Sequence, residues 1–154
     1  MVKMAWLIVG SVRAAALALG LLAAGAVALP GTAKASSLAE VTEALMADQE
    51  IANGLFAMGV AHGIRDICPT IEARMFRANM MALSLYSRAR RMGFSRTEIT
   101  TFLRDDENKA DMRARVIEYY NERGARIEEP DTICALGQAE IAEDTAAGAI
   151  LRAR

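Results

Sequence analysis

At 154 residues the chain has room for one domain and not two. Its formal charge of −1 excludes the strongly basic field that a dedicated nucleic-acid binder uses. The 53% apolar fraction is unevenly spread, and the first thirty residues hold much of the excess. From residue 36 onward fifteen basic side chains face nineteen acidic ones, leaving a net −4.

The N-terminus reads as an export leader. Lys3 supplies a positive start, residues 14–29 form a continuous apolar run, and Pro30-Gly31 breaks it. Ala33-Lys34-Ala35 then offers the small-x-small pattern that signal peptidase accepts. The expected organisation is a signal peptide over 1–35, cleaved after Ala35, followed by one helical domain over 36–154. The alternative is an uncleaved N-terminal anchor, because residues 4–29 nearly span a bilayer. Arg13 inside that stretch counts against it. No arginine pair marks the twin-arginine route, so export by the general secretory route to the periplasm or beyond is expected.

Ser37-Leu38-Ala39-Glu40 is a capping box, in which Ser and Glu satisfy the orphan amides of a helix start. Leu38, Val41 and Leu45 continue at helical spacing. Asn53-Gly54 is expected to weaken this segment and split it in two, and Cys68-Pro69 should end it. Thr70 is the expected cap of the next helix, over 70–93, with Gly93 as its stop. Ile71, Met75, Ala78, Ala82, Leu85, Tyr86 and Ala89 share one face of that helix. Phe94-Ser95-Arg96-Thr97-Glu98-Ile99 combines a second capping box with a hydrophobic staple, the sharpest local signal in the chain.

The helix so opened should reach about Leu103, and Asp105 or Asp106 should start another running to Gly124 with Met112, Val116, Tyr119 and Tyr120 inward. Pro130-Asp131 restarts the chain, and a last helix is expected over 132–153. No segment alternates with a period of two, so no strand is expected. The fold class is all-α, an irregular bundle of four to six helices.

Cys68 and Cys134 are the two cysteines. In an oxidising compartment they most simply pair. A zinc site would want more ligands than these and the lone His62, and a reactive thiol is the other competing reading. A Cys–His nucleophile pair is the chemical alternative for His62, against a helix histidine with no catalytic task. The methionines recur at helical spacing as core filler does, and the one close pair, Met80-Met81, falls short of a copper site. Asp105, Asp106, Glu107 and Asp111 form an acidic cluster that helix capping accounts for. No cofactor or metal is expected, and no catalytic constellation is legible, although an enzyme built from carboxylates alone stays open.

Arg74, Arg77, Arg88 and Arg91 fall on one stripe of the expected 70–93 helix, opposite its apolar face, with Arg65 and Arg96 extending it. Such a stripe is either a solvated face of weak ion pairs or a docking surface for an acidic partner or anionic head groups.

Gly59-Val60-Ala61-His62-Gly63 through Ile67-Cys68-Pro69, and Gly93-Phe94-Ser95 through Phe102, resemble a family of small exported bacterial proteins of unknown function, over residues 53–143. That resemblance implies export and a helical fold, and carries no catalytic residue with it. The expected role is a non-enzymatic binding or accessory module at the outer face of a membrane, for instance of a respiratory or transport complex. The alternative is a small periplasmic chaperone or enzyme inhibitor. The expected partner is another protein, at a membrane complex, rather than nucleic acid or a small-molecule substrate.

Overall fold

The computed structural model describes residues 36–154, so the expected leader and its cleavage site lie outside the described residues. Six α-helices carry the fold. They are α1 (Leu38–Ala47), α2 (Gln49–Ile67), α3 (Met75–Arg91), α4 (Arg96–Arg104), α5 (Asp106–Glu122) and α6 (Pro130–Ala142). Two short strands, β1 (Ile71–Ala73) and β2 (Leu151–Ala153), pair antiparallel, and a single 3-10 turn over Gly148–Ile150 precedes β2.

Local chemistry sets most helix limits. The Ser37 and Ser95 hydroxyls accept from the Glu40 and Glu98 amides, and both glutamates accept from the cap amides in return, so both expected capping boxes form. Asp105 caps α5 by accepting from the Asn108 amide at 2.9 Å. Gly93 and Gly124 end α3 and α5 with φ of 100° and 71°. At each, the next residue's amide reaches back to the carbonyl of Ala89 or Tyr120, the six-to-one bond that closes a helix end.

Four sequence expectations are corrected. The break between α1 and α2 falls at Asp48, not at Asn53-Gly54. Asp48 leaves helical geometry and caps α2 through the Ile51 amide, whereas Gly54 stays helical, and Leu85 of α3 packs where a side chain at 54 would be. Thr70 does not open α3. Residues 71–73 are taken by β2, in the register Ile71 to Ala153 and Ala73 to Leu151, and the helix starts only at Met75. Strands are therefore present, imposed by a partner some eighty residues away rather than by local pattern. The last helix stops at Ala142, not at 153, because Asp144 adopts a left-handed φ of 48° and the Thr145 amide closes on the Glu140 carbonyl. Gly148 then lies against that carbonyl so closely that no Cβ would fit.

The larger core cluster is built from α2, α5, α6 and the two strands, around Ile64, Ile71, Tyr120, Ile133 and Leu151. Tyr120 donates its hydroxyl to the Val60 carbonyl at 2.7 Å, and Gly63 leaves the space that the ring occupies. A second cluster joins α1, the start of α2, α3 and α4 through Val41, Leu45, Ile51, Ala89, Ile99 and Phe102, with Phe94 packed against it as the staple requires. Glu140 is a buried charged side chain at 1% exposure. It accepts from the Tyr119 and Thr145 hydroxyls, and Thr145 in turn accepts from the Gly148 amide at 3.0 Å. This satisfies a carboxylate that would otherwise be costly to bury.

Cys68, fully buried at the end of α2, is bonded to Cys134 near the start of α6, with Cα atoms 5.2 Å apart. The bridge closes a loop of 66 positions. Loop entropy alone makes such a bridge worth about 4 kcal/mol. Reduction should therefore lower the unfolding free energy by about that amount, read as a shift in urea midpoint with and without dithiothreitol. An unchanged midpoint would show that the bridge constrains nothing.

Candidate functional site

The expected arginine stripe does not survive as a unit. Arg88 turns back into the molecule, donating Nε to Asp48 at 2.7 Å and a terminal nitrogen to Glu50 at 2.5 Å. Arg77 donates to the Ala149 carbonyl at 3.2 Å, and Arg74 is the half-buried residue before α3, its amide donating to Ile150 at 2.8 Å. Arg91 is exposed.

Nor is the stripe opposite an apolar face. The core side of α3 is formed by Leu85 and Ala89, flanked by half-buried Ala78 and Ala82. Facing away from the core stand Phe76, Met80 and Leu83, exposed by 78%, 50% and 55%, at spacings of four and three that align them along one line of the helix. Met75 and Tyr86 are exposed beside that line. α3 is thus apolar on two sides, and one of them meets solvent. Its sequence holds four arginines and no lysine or acidic residue.

Two apolar clefts are lined by α3 residues on the side of Met75 and Tyr86, and neither is lined by Phe76, Met80 or Leu83. One, of about 120 Å³, is walled by Leu45, Leu55, Leu85, Tyr86 and Leu103, with almost no polar surface. The other, of about 370 Å³, lies between α2 and α3, with Met58, Met75, Ala78 and Ala82 on its walls and His62, Arg65 and Asn79 among its polar residues. Met58 and Ala82 belong to both, so the clefts run together alongside α3.

The remaining candidates are structural. His62 is exposed on α2 beside Asp66, at 3.1 Å, and Arg65, at 3.0 Å, and Cys68 has no thiol to offer it. Arg65 above all holds the Asp66 carboxyl below its usual range. The Tyr119 hydroxyl is pushed up to about 12, first by burial and then by its bond to Glu140, so it stays a donor at neutral pH. Burial raises Tyr120 likewise. This network is centred on the buried Glu140, with Tyr119 and Thr145 half-buried, and ties α5 to the turn after α6. Met80 and Met81 point to different environments, one exposed and one half-buried. Among the described residues, no group of three or more His, Cys, Asp or Glu side chains converges as metal ligands would.

The outward apolar line was missed from sequence because Leu85 and Ala89 already gave α3 an inward face. The signal that could have found it is the absence of any polar face wide enough to balance Phe76, Met80 and Leu83.

The model of a family of unknown function (DUF5333) matches residues 43–152, and the chain belongs to that family. No curated protein and no solved structure matches it.

The Asp48–Arg88 pair predicts an acid limit to stability. Arg88 first, and then the Ile51 amide, hold the Asp48 carboxyl below its ordinary range. A lowered folded value means the stabilisation is complete above the ordinary carboxylate range near pH 4 and is lost as pH falls through the folded value. Urea midpoints measured at pH 7 and near pH 3 should differ, and Arg88→Ala should narrow the gap by weakening the protein at pH 7. An equal gap in both proteins would show that this pair does not contribute.

Proposed function

We propose that this chain is a non-enzymatic binding module that works outside the cytoplasm, docked on another protein as an accessory part of a membrane complex of the respiratory or transport kind. One observation carries the docking: the line Phe76, Met80 and Leu83 that α3 presents to solvent, on a helix whose Met75, Asn79 and Tyr86 line two apolar clefts. A contiguous exposed apolar surface of this kind marks interaction sites on folded proteins. The composition of α3, rich in Met and Arg, with Phe and Tyr and without Lys, Asp or Glu, is that of a protein interface rather than of ordinary surface. The Cys68–Cys134 bridge is consistent with export, since disulfides persist in oxidising compartments. In this reading the leader over 1–35 is removed after Ala35 and the domain over 36–154 acts at the outer face of the membrane. No helix among the described residues is long and apolar enough to cross a bilayer.

The tagged full chain, expressed in its native host and purified from detergent-solubilised membranes, should bring down a protein in fixed ratio. The double variant Phe76→Ala, Leu83→Ala should lose that protein at least about tenfold, as truncation of central apolar anchors does. Its thermal midpoint should be nearly unchanged, because both side chains are exposed. A wild-type protein that always emerges alone and monomeric would overturn the reading.

A further inference from the structure

The two sides of the exposed α3 line differ in chemistry. At about 100° per residue, Phe76, Met80 and Leu83 lie within about 60° of one another around the helix. Met75, Asn79 and Tyr86 fall roughly 60–100° to one side, toward the apolar clefts that they help to line. Arg77 and Arg91 fall about as far to the other side. Arg90 lies near the line itself at its C-terminal end, its guanidinium donating to the Phe94 carbonyl at 2.7 Å.

None of Arg77, Arg90 and Arg91 forms an ion pair among the described residues. The bonds that Arg77 and Arg90 make go to neutral carbonyls, which leave their charge uncompensated. The carboxylates around α3 are already in use, Asp48 and Glu50 by Arg88 and Glu72 by Arg152 and Arg154. A chain that is net negative from residue 36 thus shows a positive edge along its exposed apolar helix.

Resting on the docking reading above, we infer that the occupant of this face is an acidic amphipathic helix of another protein. Such a helix sets its apolar side chains on Phe76, Met80 and Leu83 and into the clefts beside Tyr86 and Met75, with its carboxylates along Arg77 and Arg91. The length fits, because the seventeen residues of α3 offer a track of about 25 Å, some five turns of a partner helix. The recognition is the helix-in-groove mode, in which anchors at spacings of three and four enter a hydrophobic trough while charges set orientation.

Two other occupants fit less well. A second copy docking α3 on α3 would gather the arginines of both helices in one contact with no carboxylate on either, a like-charge arrangement that disfavours pairing. A lipid surface is smooth on this scale and would leave the two clefts unfilled, whereas projecting helix side chains fill them.

The experiment places a photoreactive benzoylphenylalanine at position 83 of the full chain, in cells, and sequences what it captures. The expected adduct is a segment of another protein with carboxylates flanking an apolar stripe of helical period. Its yield should fall at least tenfold in Arg77→Glu, Arg91→Glu, recover in Arg77→Lys, Arg91→Lys, and stay unchanged in Arg113→Glu on α5. Far-ultraviolet dichroism shows whether each variant is folded. A captured segment that is basic or uncharged, or a yield indifferent to charge reversal, overturns the acidic partner and leaves docking on α3 standing. A crosslink to a second copy, or to phospholipid, also overturns it. No adduct at all, from a folded protein, overturns the docking reading together with it.

Discussion

The fold depends on the closure that ties residues 68–74 to residues 134–154. A disulfide joins Cys68 to Cys134, and three residue pairs of β1 and β2 follow in register. On either side of the ladder the Arg154 amide donates to the Thr70 carbonyl at 2.9 Å and the Arg74 amide to the Ile150 carbonyl at 2.8 Å. Glu72 adds ion pairs to Arg152 at 2.7 Å and Arg154 at 3.6 Å. A two-stranded ladder this short is not stable alone. Here the covalent bridge removes much of the loop entropy, and Ile71 and Leu151 bury their side chains in the larger core. Because the ladder consumes residues 71–73, α3 starts at Met75 and leaves the end of α2 at a fixed angle, which brings Leu85 onto Gly54.

That closure requires the chain to reverse after α6, and a polar group drives the reversal. Glu140 is buried, yet it receives two hydroxyl donors, from Tyr119 and Thr145, and Arg123 stands 4.0 Å away. Thr145 can reach Glu140 only if the helix has already ended, which the left-handed Asp144 accomplishes. Gly148 then allows the turn to lie on the Glu140 backbone. Removing the carboxylate would leave two half-buried hydroxyls without this partner, and in the intact protein no buried side-chain polar atom among the described residues lacks a hydrogen bond.

With its position fixed by these constraints, α3 bears apolar side chains on two opposite sides. A helix of that kind is usually enclosed on both. The inner side is served by α2 and α4, and the outer side, with Phe76, Met80 and Leu83, has no cover within the described residues. The four arginines read from sequence as one docking stripe divide between different tasks. Arg88 joins α3 to the start of α2 through Asp48 and Glu50, Arg74 sits half-buried before α3 with its amide on the Ile150 carbonyl, and Arg77 and Arg91, with Arg90 beside them, keep their charge for the exterior.

Most of what is settled by contacts a few residues apart was legible in the sequence, the Asp48 cap of α2 being an exception. The two Ser-x-x-Glu boxes, the Asp105 cap, the Gly93 and Gly124 stops and the Phe94 staple each depend on side chains within one helical turn, so their residue types suffice to locate them. Membership in an all-α class and the pairing of Cys68 with Cys134 followed from periodicity and from the cysteine count. Tertiary structure decided the rest. The strands at 71–73 and 151–153 have no β pattern of their own and exist because a distant segment supplies their hydrogen bonds. The helix end at Asp144 needs a left-handed residue that is not glycine, with Thr145 folded back on a Glu140 whose burial is set by the packing of α5 and α6. Which side of α3 faces water was equally hidden, since two apolar faces compete for one interior and only the packing of α2 and α4 chooses between them.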